Sequence, residues 1–279
     1  MQLENKTALV LGASRHLGRA MAMALGREGA RLVLPYFDWP DSVAEMEEDL
    51  AAAGFAHLTL AVDLRDEAQV TEMAARIKKE YGGLDILVNN IERGGMPLVH
   101  GPYTPEQWEL ELATTITAKH LVFSHCLPLL QRRTGAAVIN ISSIAGLTGR
   151  SGPAGLIFGD AYSAANRAVS SFTETWARQA APEVRVNEIM LGLFAHRHGE
   201  GTRGWPLLTA EQQHELIDHT LLGRTGQADD LVKAMLFLIK DAPFMTGATL
   251  RLDGGYVLGG AEVPPMPAGL TEDLAIKLG

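Results

Sequence analysis

Cysteine is almost absent from this chain of 279 residues, which contains only Cys126. A single cysteine excludes an intramolecular disulfide and a zinc site built from cysteines. Basic residues are also in deficit, with 24 Lys and Arg against 33 Asp and Glu and a net charge of −9. This balance argues against a broad nucleic-acid-binding surface and against attraction to anionic membranes, so we expect neither partner.

Long apolar runs are missing as well. No run reaches the roughly 18 residues that a membrane span needs, and the first residues, M-Q-L-E-N-K-T, lack the basic and apolar segments of a signal peptide. Hydrophobic residues make up 47% and charged residues 20% of the chain, which is typical of a globular protein. We therefore expect a cytoplasmic protein.

Short apolar runs alternate with longer helical patterns along the chain. The predicted strands are Ala8–Leu11, Arg31–Tyr36, Leu58–Val62, Ile86–Asn89, Ala137–Ile141, Arg185–Met190 and Thr249–Leu252. The predicted helices span 17–28, 41–53, 66–81, 105–131, 160–180 and 228–240. This alternation predicts an α/β fold with a doubly wound, mostly parallel sheet that is flanked by helices on both faces.

The domain prediction follows from the absence of an internal linker. We expect one domain over residues 1–259, followed by a proline-containing tail over 260–279. Two irregular segments, 146–160 and 193–208, interrupt the alternation inside the domain. Long irregular segments in a compact α/β domain usually form functional loops, so we expect both to border the substrate.

A glycine-containing turn follows the first predicted strand, in L-G-A-S-R-H-L-G-R-A. Gly12 suits a tight strand-to-helix turn, and Gly18 suits close packing of the helix on the sheet. The helix N-terminus behind them would offer backbone N–H groups to a phosphate. An ordinary βα turn is the alternative interpretation.

Further motifs follow this turn in a fixed order. They are V-D-L at 62–64, L-V-N-N at 87–90, I-S-S at 141–143, Y-S-A-A-N from Tyr162, R-V-N-E-I-M-L-G at 185–192 and L-D-G-G at 252–255. The set resembles the short-chain dehydrogenase/reductase family over almost the whole chain. The resemblance implies one Rossmann-type domain, bound NAD or NADP, a dimer or tetramer, and hydride transfer between the cofactor and a small carbonyl or alcohol substrate.

The resemblance also implies the cofactor-binding residues. They are Gly12, Ser14, Arg15, His16, Leu17, Gly18, Tyr36, Asp63, Leu64, Asn90, Ile91, Tyr162, Asn166 and Gly192. NAD-specific relatives carry an acid at the end of the second strand, where this chain has Tyr36. That absence, together with Arg15 and His16, favours NADP over NAD, although NAD stays possible. Solvated loop side chains at 15–16, and a helix N-cap at Asp63, are the alternatives.

The implied catalytic residues are Tyr162, Ser143, Asn166 and Thr115. In the family, a tyrosine exchanges a proton with the substrate oxygen and a serine binds that oxygen. Two of the four positions depart from the family: Asn166 replaces the lysine of Y-x-x-x-K, and Thr115 replaces an asparagine. Without the ammonium, Tyr162 should be a poorer base, but it could still donate a proton.

Two other cations could replace the missing lysine. Arg167 lies about 100° round the helix from Asn166, which makes it a doubtful substitute. Lys119 follows Thr115 by four residues and shares its predicted helix face. An ordinary snorkelling or interface lysine is the alternative interpretation of Lys119.

The loops suggest an apolar wall rather than a metal site. Ile157, Phe158, Phe194 and Trp205 would border the substrate, or the first segment would make a surface or subunit contact. His196 and His198 form H-x-H, but no third ligand lies at a helical spacing, so we predict no metal.

Two other functions fit the same residues. The departures at His16, Glu92, Thr115 and Asn166 would also suit a catalytically degenerate cofactor-binding or scaffolding subunit. Lyase or dehydratase chemistry with Tyr162 as the acid is a third possibility. An oxidoreductase with an altered proton relay is the main prediction.

Overall fold

A computed structural model describes residues 1–92, 103–197, 199–200, 202, 204–259 and 263–265. Its strands are β1 (Thr7–Val10), β2 (Arg31–Tyr36), β3 (His57–Ala61), β4 (Ile86–Asn89), β5 (Ala136–Ser143), β6 (Val184–Leu191) and β7 (Thr249–Leu252). Its α-helices are α1 (His16–Arg27), α2 (Pro40–Ala52), α3 (Glu67–Tyr81), α4 (Pro105–Leu112), α5 (Ala118–Leu130), α6 (Ala145–Thr148), α7 (Asp160–Ala180), α8 (Ala210–Asp218) and α9 (Ala228–Lys240).

Within these described ranges, seven strands form one parallel sheet in the order β3-β2-β1-β4-β5-β6-β7. The predicted doubly wound fold is therefore confirmed. The strand order reverses between β1 and β4, since β1 pairs with β2 on one side and with β4 on the other. Ligands of such sheets bind at the carboxyl ends of the strands beside this switch point.

Helices cover both faces of the sheet, as the continuous apolar strands predict. On one face α1, α2 and α9 pack through side chains such as Met21, Met46 and Met235. On the other face α3, α5 and α7 pack through side chains such as Ile77, Phe123 and Trp176. A third apolar cluster gathers around Tyr162 beyond the ends of β5 and β6.

The helix predicted over 105–131 differs most from the structure. It begins with a capping box at Thr104 and Gln107 and is interrupted by a π-helical turn over Ala113–Thr117. The extra residue in such a turn re-aims the side chains that follow it, and π-bulges are frequent at functional sites. Sequence periodicity averages over one inserted residue, which is why the pattern predicted a continuous helix.

The irregular segments contain short helices. Residues 146–160 include the end of α6 and a 3₁₀ turn over Pro153–Leu156, and 193–208 include a 3₁₀ turn over Trp205–Leu207. The predicted tail lies outside the described residues except for 263–265. Among the helices that are described, none combines the length and the hydropathy that crossing a bilayer requires.

Candidate active site

Tyr162 and Ser143 come together at the carboxyl edge of the sheet. Ser143 ends β5, Tyr162 lies in the first turn of α7, and the Ser143 hydroxyl is close enough to lower the pKa of the Tyr162 phenol. Both side chains are buried. Neighbouring Ser142 instead donates to the buried carboxylate of Glu188, so only one hydroxyl of the I-S-S motif faces the phenol.

The N-terminus of α7 is held in place by a second phenol. The hydroxyl of Tyr103 accepts a hydrogen bond from the backbone N–H of Tyr162, and burial raises the pKa of Tyr103 to about 12. A Cβ at Gly159 would lie 2.3 Å from the Tyr103 ring. Gly159 therefore allows the ring to reach the helix end, which fixes where α7 begins and where Tyr162 points.

Asn166 lies one helical turn after Tyr162 and carries no charge. Its Nδ2 donates to the backbone oxygen of Tyr162 at 2.9 Å, while its buried Oδ1 has no hydrogen-bond partner among the described residues. A buried acceptor without a donor is costly unless a ligand satisfies it. Asn166 could thus accept a hydroxyl, as a ribose would provide.

Thr115 and Lys119 are both buried, so Lys119 is not a snorkelling lysine. The Thr115 hydroxyl donates to Glu111 Oε1 at 2.6 Å. The Nζ of Lys119 donates to the backbone oxygen of Ile141 at 2.8 Å, and burial lowers the pKa of this lysine to about 8. Lys119 therefore braces β5 two residues before Ser143.

Arg197 is the cation that contacts the phenol, and sequence reasoning missed it. Its Nη2 lies 3.5 Å from the hydroxyl of Tyr162 and forms a buried ion pair with Glu92, the residue that follows N-N-I. Burial raises the pKa of Tyr162 and Glu92 raises it further, whereas Arg197 lowers it. No local pattern marks Arg197, since it lies 35 residues from Tyr162 and 105 from Glu92.

The loop after β6 also meets the glycine turn. The rings of His16 and His196 stack at 5.0 Å with an angle of 4° between their planes. Both residues have positive φ angles, +46° and +63°. Burial, followed by the charge of Arg15, lowers the pKa of His16, so its imidazole is neutral near pH 7. One ring stack and one ion pair thus join this loop to the ends of β1 and β4.

The glycine turn is packed as the motif predicts. A Cβ at Gly12 would lie 2.4 Å from the backbone oxygen of Asn90, and one at Gly18 would lie 1.8 Å from the backbone oxygen of Gly12. Hence only glycine lets the turn, α1 and the end of β4 approach so closely. Leu17 is buried within this packing, while Ser14 holds Arg19 through its backbone oxygen at 2.9 Å.

Basic side chains lie beside the end of β2. The guanidinium carbon of Arg15 lies 3.5 Å from the centroid of the Trp39 ring, and Trp39 precedes Pro40 at the start of α2. A cavity of about 540 Å³ along α1 is lined by Arg15, His16 and Arg19 and also by Glu45. Tyr36 ends β2, as predicted.

Asp63 follows β3 and is paired with Arg65 at 2.7 Å. The N-cap of α3 is Asp66, whose side chain accepts from the backbone N–H groups of Ala68 and Gln69. The alternative interpretation of Asp63 as a helix cap is therefore wrong. Leu64 beside it is buried.

The apolar wall is present, with one correction. Phe158 and Trp205 join the cluster around Tyr162, and the Phe158 and Tyr162 rings lie 5.9 Å apart. Phe194, predicted in the same wall, packs instead into the main core, where a Cβ at Gly226 would lie 2.6 Å from its ring. Gly192 is packed against Asp253 at the end of β6.

A metal site finds no support in the described part of the chain, where no three His, Cys, Asp or Glu side chains group suitably. His198 lies outside the described residues.

Comparison with known proteins gives the family. The enoyl-(acyl carrier protein) reductase model of short-chain dehydrogenases matches residues 12–257. The chain belongs to the short-chain dehydrogenase/reductase family. This confirms the resemblance, and with it the prediction of an enzyme of the NAD(P)-dependent oxidoreductase class that this family comprises.

Two curated relatives span almost the whole chain. A 3-oxoacyl-[acyl-carrier-protein] reductase of Haemophilus influenzae is 30% identical over 92% of this chain and all of its own length. The corresponding protein of Staphylococcus aureus is 27% identical over 91% of this chain and 98% of its own. A blue fluorescent protein from a metagenomic library, crystallised with NADPH, superposes with a TM-score of 0.78 at 24% identity, covering 92% and 99% of the two chains.

Proposed function

We propose that this protein is an NADP(H)-dependent reductase of a small carbonyl compound. The observation that carries the proposal is that buried Ser143 and Tyr162 come together at the carboxyl edge of the sheet, where the serine hydroxyl lowers the pKa of the phenol. The relatives named as 3-oxoacyl-[acyl-carrier-protein] reductases and the NADPH-bound neighbour support the same reaction and the same cofactor.

Three features of the chain fit a bound dinucleotide. The turn at Gly12 and Gly18 has no room for a Cβ atom, so its backbone is open to close approach by a phosphate. Asn166 Oδ1 is a buried acceptor with no hydrogen-bond donor among the described residues. Arg15 stacks on Trp39 beside the end of β2, where the 2′-phosphate of NADP would lie. Gly12 and Gly18 would thus border the pyrophosphate, Arg15 the 2′-phosphate and Asn166 the nicotinamide ribose. When bound, the nicotinamide supplies or accepts the hydride.

The residues around the carbonyl then have distinct tasks. Ser143 donates a hydrogen bond to the carbonyl oxygen, and Tyr162 gives that oxygen its proton as the carbon is reduced. Because burial raises the pKa of Tyr162, the phenol carries its proton at neutral pH and can donate it to the carbonyl oxygen. The phenolate left on Tyr162 then regains its proton from solvent.

The loop after β6 borders the crevice in which the cofactor would bind. His196 lies on His16 and Arg197 on Glu92, both beside the crevice between β1 and β4. A bound dinucleotide would displace the ring stack or pass beside it.

The test measures NADPH and NADH binding by fluorescence and NADPH oxidation across a panel of carbonyl compounds that includes a 3-oxoacyl thioester. We expect NADPH to bind and at least one carbonyl to be reduced. Tyr162→Phe should lower kcat by about 10²–10⁴-fold while NADPH still binds. Turnover that survives this change would overturn the role of Tyr162.

Binding without turnover on any carbonyl would favour the cofactor-binding subunit instead. Failure of both nucleotides to bind would remove the redox function altogether.

A further inference from the structure

A positive charge is missing from the helix position where the family keeps it, one turn after Tyr162. Asn166 lies at that position, and its amide nitrogen donates to the backbone oxygen of Tyr162. A phenol that gives up a proton leaves a phenolate, whose charge is unfavourable in a buried site without a cation or donors. The phenolate therefore needs another group of this chain to stabilise its charge.

The two cations considered from the sequence do not face the phenol. Lys119 directs its Nζ to the backbone oxygen of Ile141 at 2.8 Å. Arg167 is exposed on the outer side of α7. Although Lys119 lies close enough to Glu92 and Arg197 for their charges to shift its pKa, neither of the two cations donates a hydrogen bond to the oxygen of Tyr162.

Arg197 is placed to do so. Its side chain is only 9% exposed, and its Nη2 lies 3.5 Å from the phenol oxygen. The guanidinium arrives from the loop after β6 rather than from α7 and is fixed there by Glu92. It is the cation in direct contact with Tyr162 in the part of the chain that the structure describes.

The ion pair with Glu92 does not satisfy this guanidinium. Its Nε and Nη1 are buried and have no hydrogen-bond partner among the described residues. Burying unpaired donors of a charged group is costly, so a purely structural ion pair would be expected to use them. The guanidinium is therefore held through Nη2, the nitrogen that faces both Glu92 and the phenol oxygen.

We propose that Arg197 is a catalytic residue that supplies, from the loop after β6, the positive charge which stabilises the Tyr162 phenolate. The inference rests on the proposed reductase function. As the proton passes from the Tyr162 oxygen to the carbonyl oxygen of the substrate, the electron pair stays on the phenol oxygen. The Nη2–H of Arg197 then donates to that oxygen, and no proton leaves the arginine.

Other charged and titratable groups face the same site. Glu92 opposes Arg197, because its carboxylate raises the pKa of Tyr162. Tyr103 contacts the backbone of Tyr162, and Lys119 and Glu111 approach from the helices around the π-turn. Glu92 thus holds the guanidinium in place and also weakens its effect on the pKa of Tyr162. The charges of Glu92 and Arg197 are therefore what the test variants change.

The kinetic test is made in a Glu92→Gln background, so that removing Arg197 does not leave the buried carboxylate of Glu92 unpaired. In a Glu92→Gln background, Arg197→Met should lower kcat for carbonyl reduction by about 10–100-fold, and Arg197→Lys should retain part of it. Adding Asn166→Lys to the Glu92→Gln/Arg197→Met protein places an ammonium one helical turn after Tyr162 and should recover at least about tenfold. Arg178→Met, at an exposed arginine of α7, is the matched control and should leave kcat unchanged.

The pH dependence separates a catalytic charge from a structural one. Arg197→Met should move the ascending, acid-side limb of the oxidative pH profile, where Tyr162 must be deprotonated, upward by about one to two pH units relative to Glu92→Gln alone. Asn166→Lys should move it back. Equal activity and an equal profile with and without Arg197 would overturn the proposal.

A spectroscopic measurement needs no turnover. Glu92→Gln should bring the ionisation of Tyr162 to lower pH, seen as extra tyrosinate absorbance in alkaline solution that Glu92→Gln/Tyr162→Phe lacks. Adding Arg197→Met to Glu92→Gln should abolish that gain, and a gain that persists would refute the role of Arg197. If no carbonyl compound is reduced, the proposed function fails. The tyrosinate absorbance still shows whether Arg197 lowers the pKa of Tyr162.

Discussion

The guanidinium carbon of Arg15 lies 3.5 Å above the centre of the Trp39 ring, so the glycine turn and the start of α2 hold one cation between them. Stacking on the ring limits the motion of the guanidinium, and a guanidinium can bind a phosphate through two parallel hydrogen bonds. This contact gives Arg15 a fixed position beside the end of β2, where the ribose 2′ group of a bound dinucleotide would lie.

Arg15→Ala should therefore change cofactor choice. Charge-assisted hydrogen bonds contribute about 1.5–3 kcal/mol, so NADPH should bind about 10–100-fold more weakly while NADH is little affected. Trp39→Ala should act in the same direction with a smaller effect, because it frees Arg15 without removing its charge. Fluorescence titrations with both nucleotides measure this, and equal weakening of NADH would contradict the assignment of Arg15 to the 2′-phosphate.

Gly12→Ala tests the glycine turn, and Gly54→Ala is its matched control. Both glycines have left-handed φ angles, +67° and +70°, but a Cβ at Gly12 would lie 2.4 Å from Asn90 O whereas Gly54 faces open space. Each change should cost about 1–2 kcal/mol of unfolding free energy for the backbone conformation alone. Only Gly12→Ala should cost more than that and also weaken NADPH binding.

Urea unfolding and nucleotide titration of the two alanine variants separate these effects. Equal losses of stability, with cofactor binding intact in both variants, would show that the close approach of the turn to β4 is not needed for NADPH binding.

Lys119 should make stability depend on pH in a definite direction. Burial lowers its pKa from 10.5 to about 8 in the folded chain, so between these values the unfolded chain binds the extra proton. The free energy of unfolding therefore rises with pH across this window, and the charged lysine disfavours the fold below it. Relative to Lys119→Met, the protein should gain about 2–3 kcal/mol between pH 7 and pH 10.

Urea unfolding of both proteins at the two pH values measures this difference. A parallel pH dependence of the parent and Lys119→Met would mean that the ammonium is not desolvated at the backbone oxygen of Ile141.

Short-range patterns were enough for the fold and for part of the site. The strands Arg31–Tyr36, Ile86–Asn89 and Thr249–Leu252 agree with the sequence prediction to the residue. Ser143 and Tyr162 were predicted from their motifs, and the structure brings their side chains together at the carboxyl edge of the sheet. The π-turn over Ala113–Thr117 was not predictable in this way, since one inserted residue leaves the apolar pattern on either side intact.

The sequence by itself determined the parallel α/β architecture, because apolar runs that are buried on both faces alternate with amphipathic helices. It also determined that a phenol and a hydroxyl end up at the carboxyl edge of the sheet. Only the tertiary structure decided that Arg197 meets both Tyr162 and Glu92. Such pairs depend on the path of a loop through His196, a residue with a left-handed backbone that no propensity or periodicity signals.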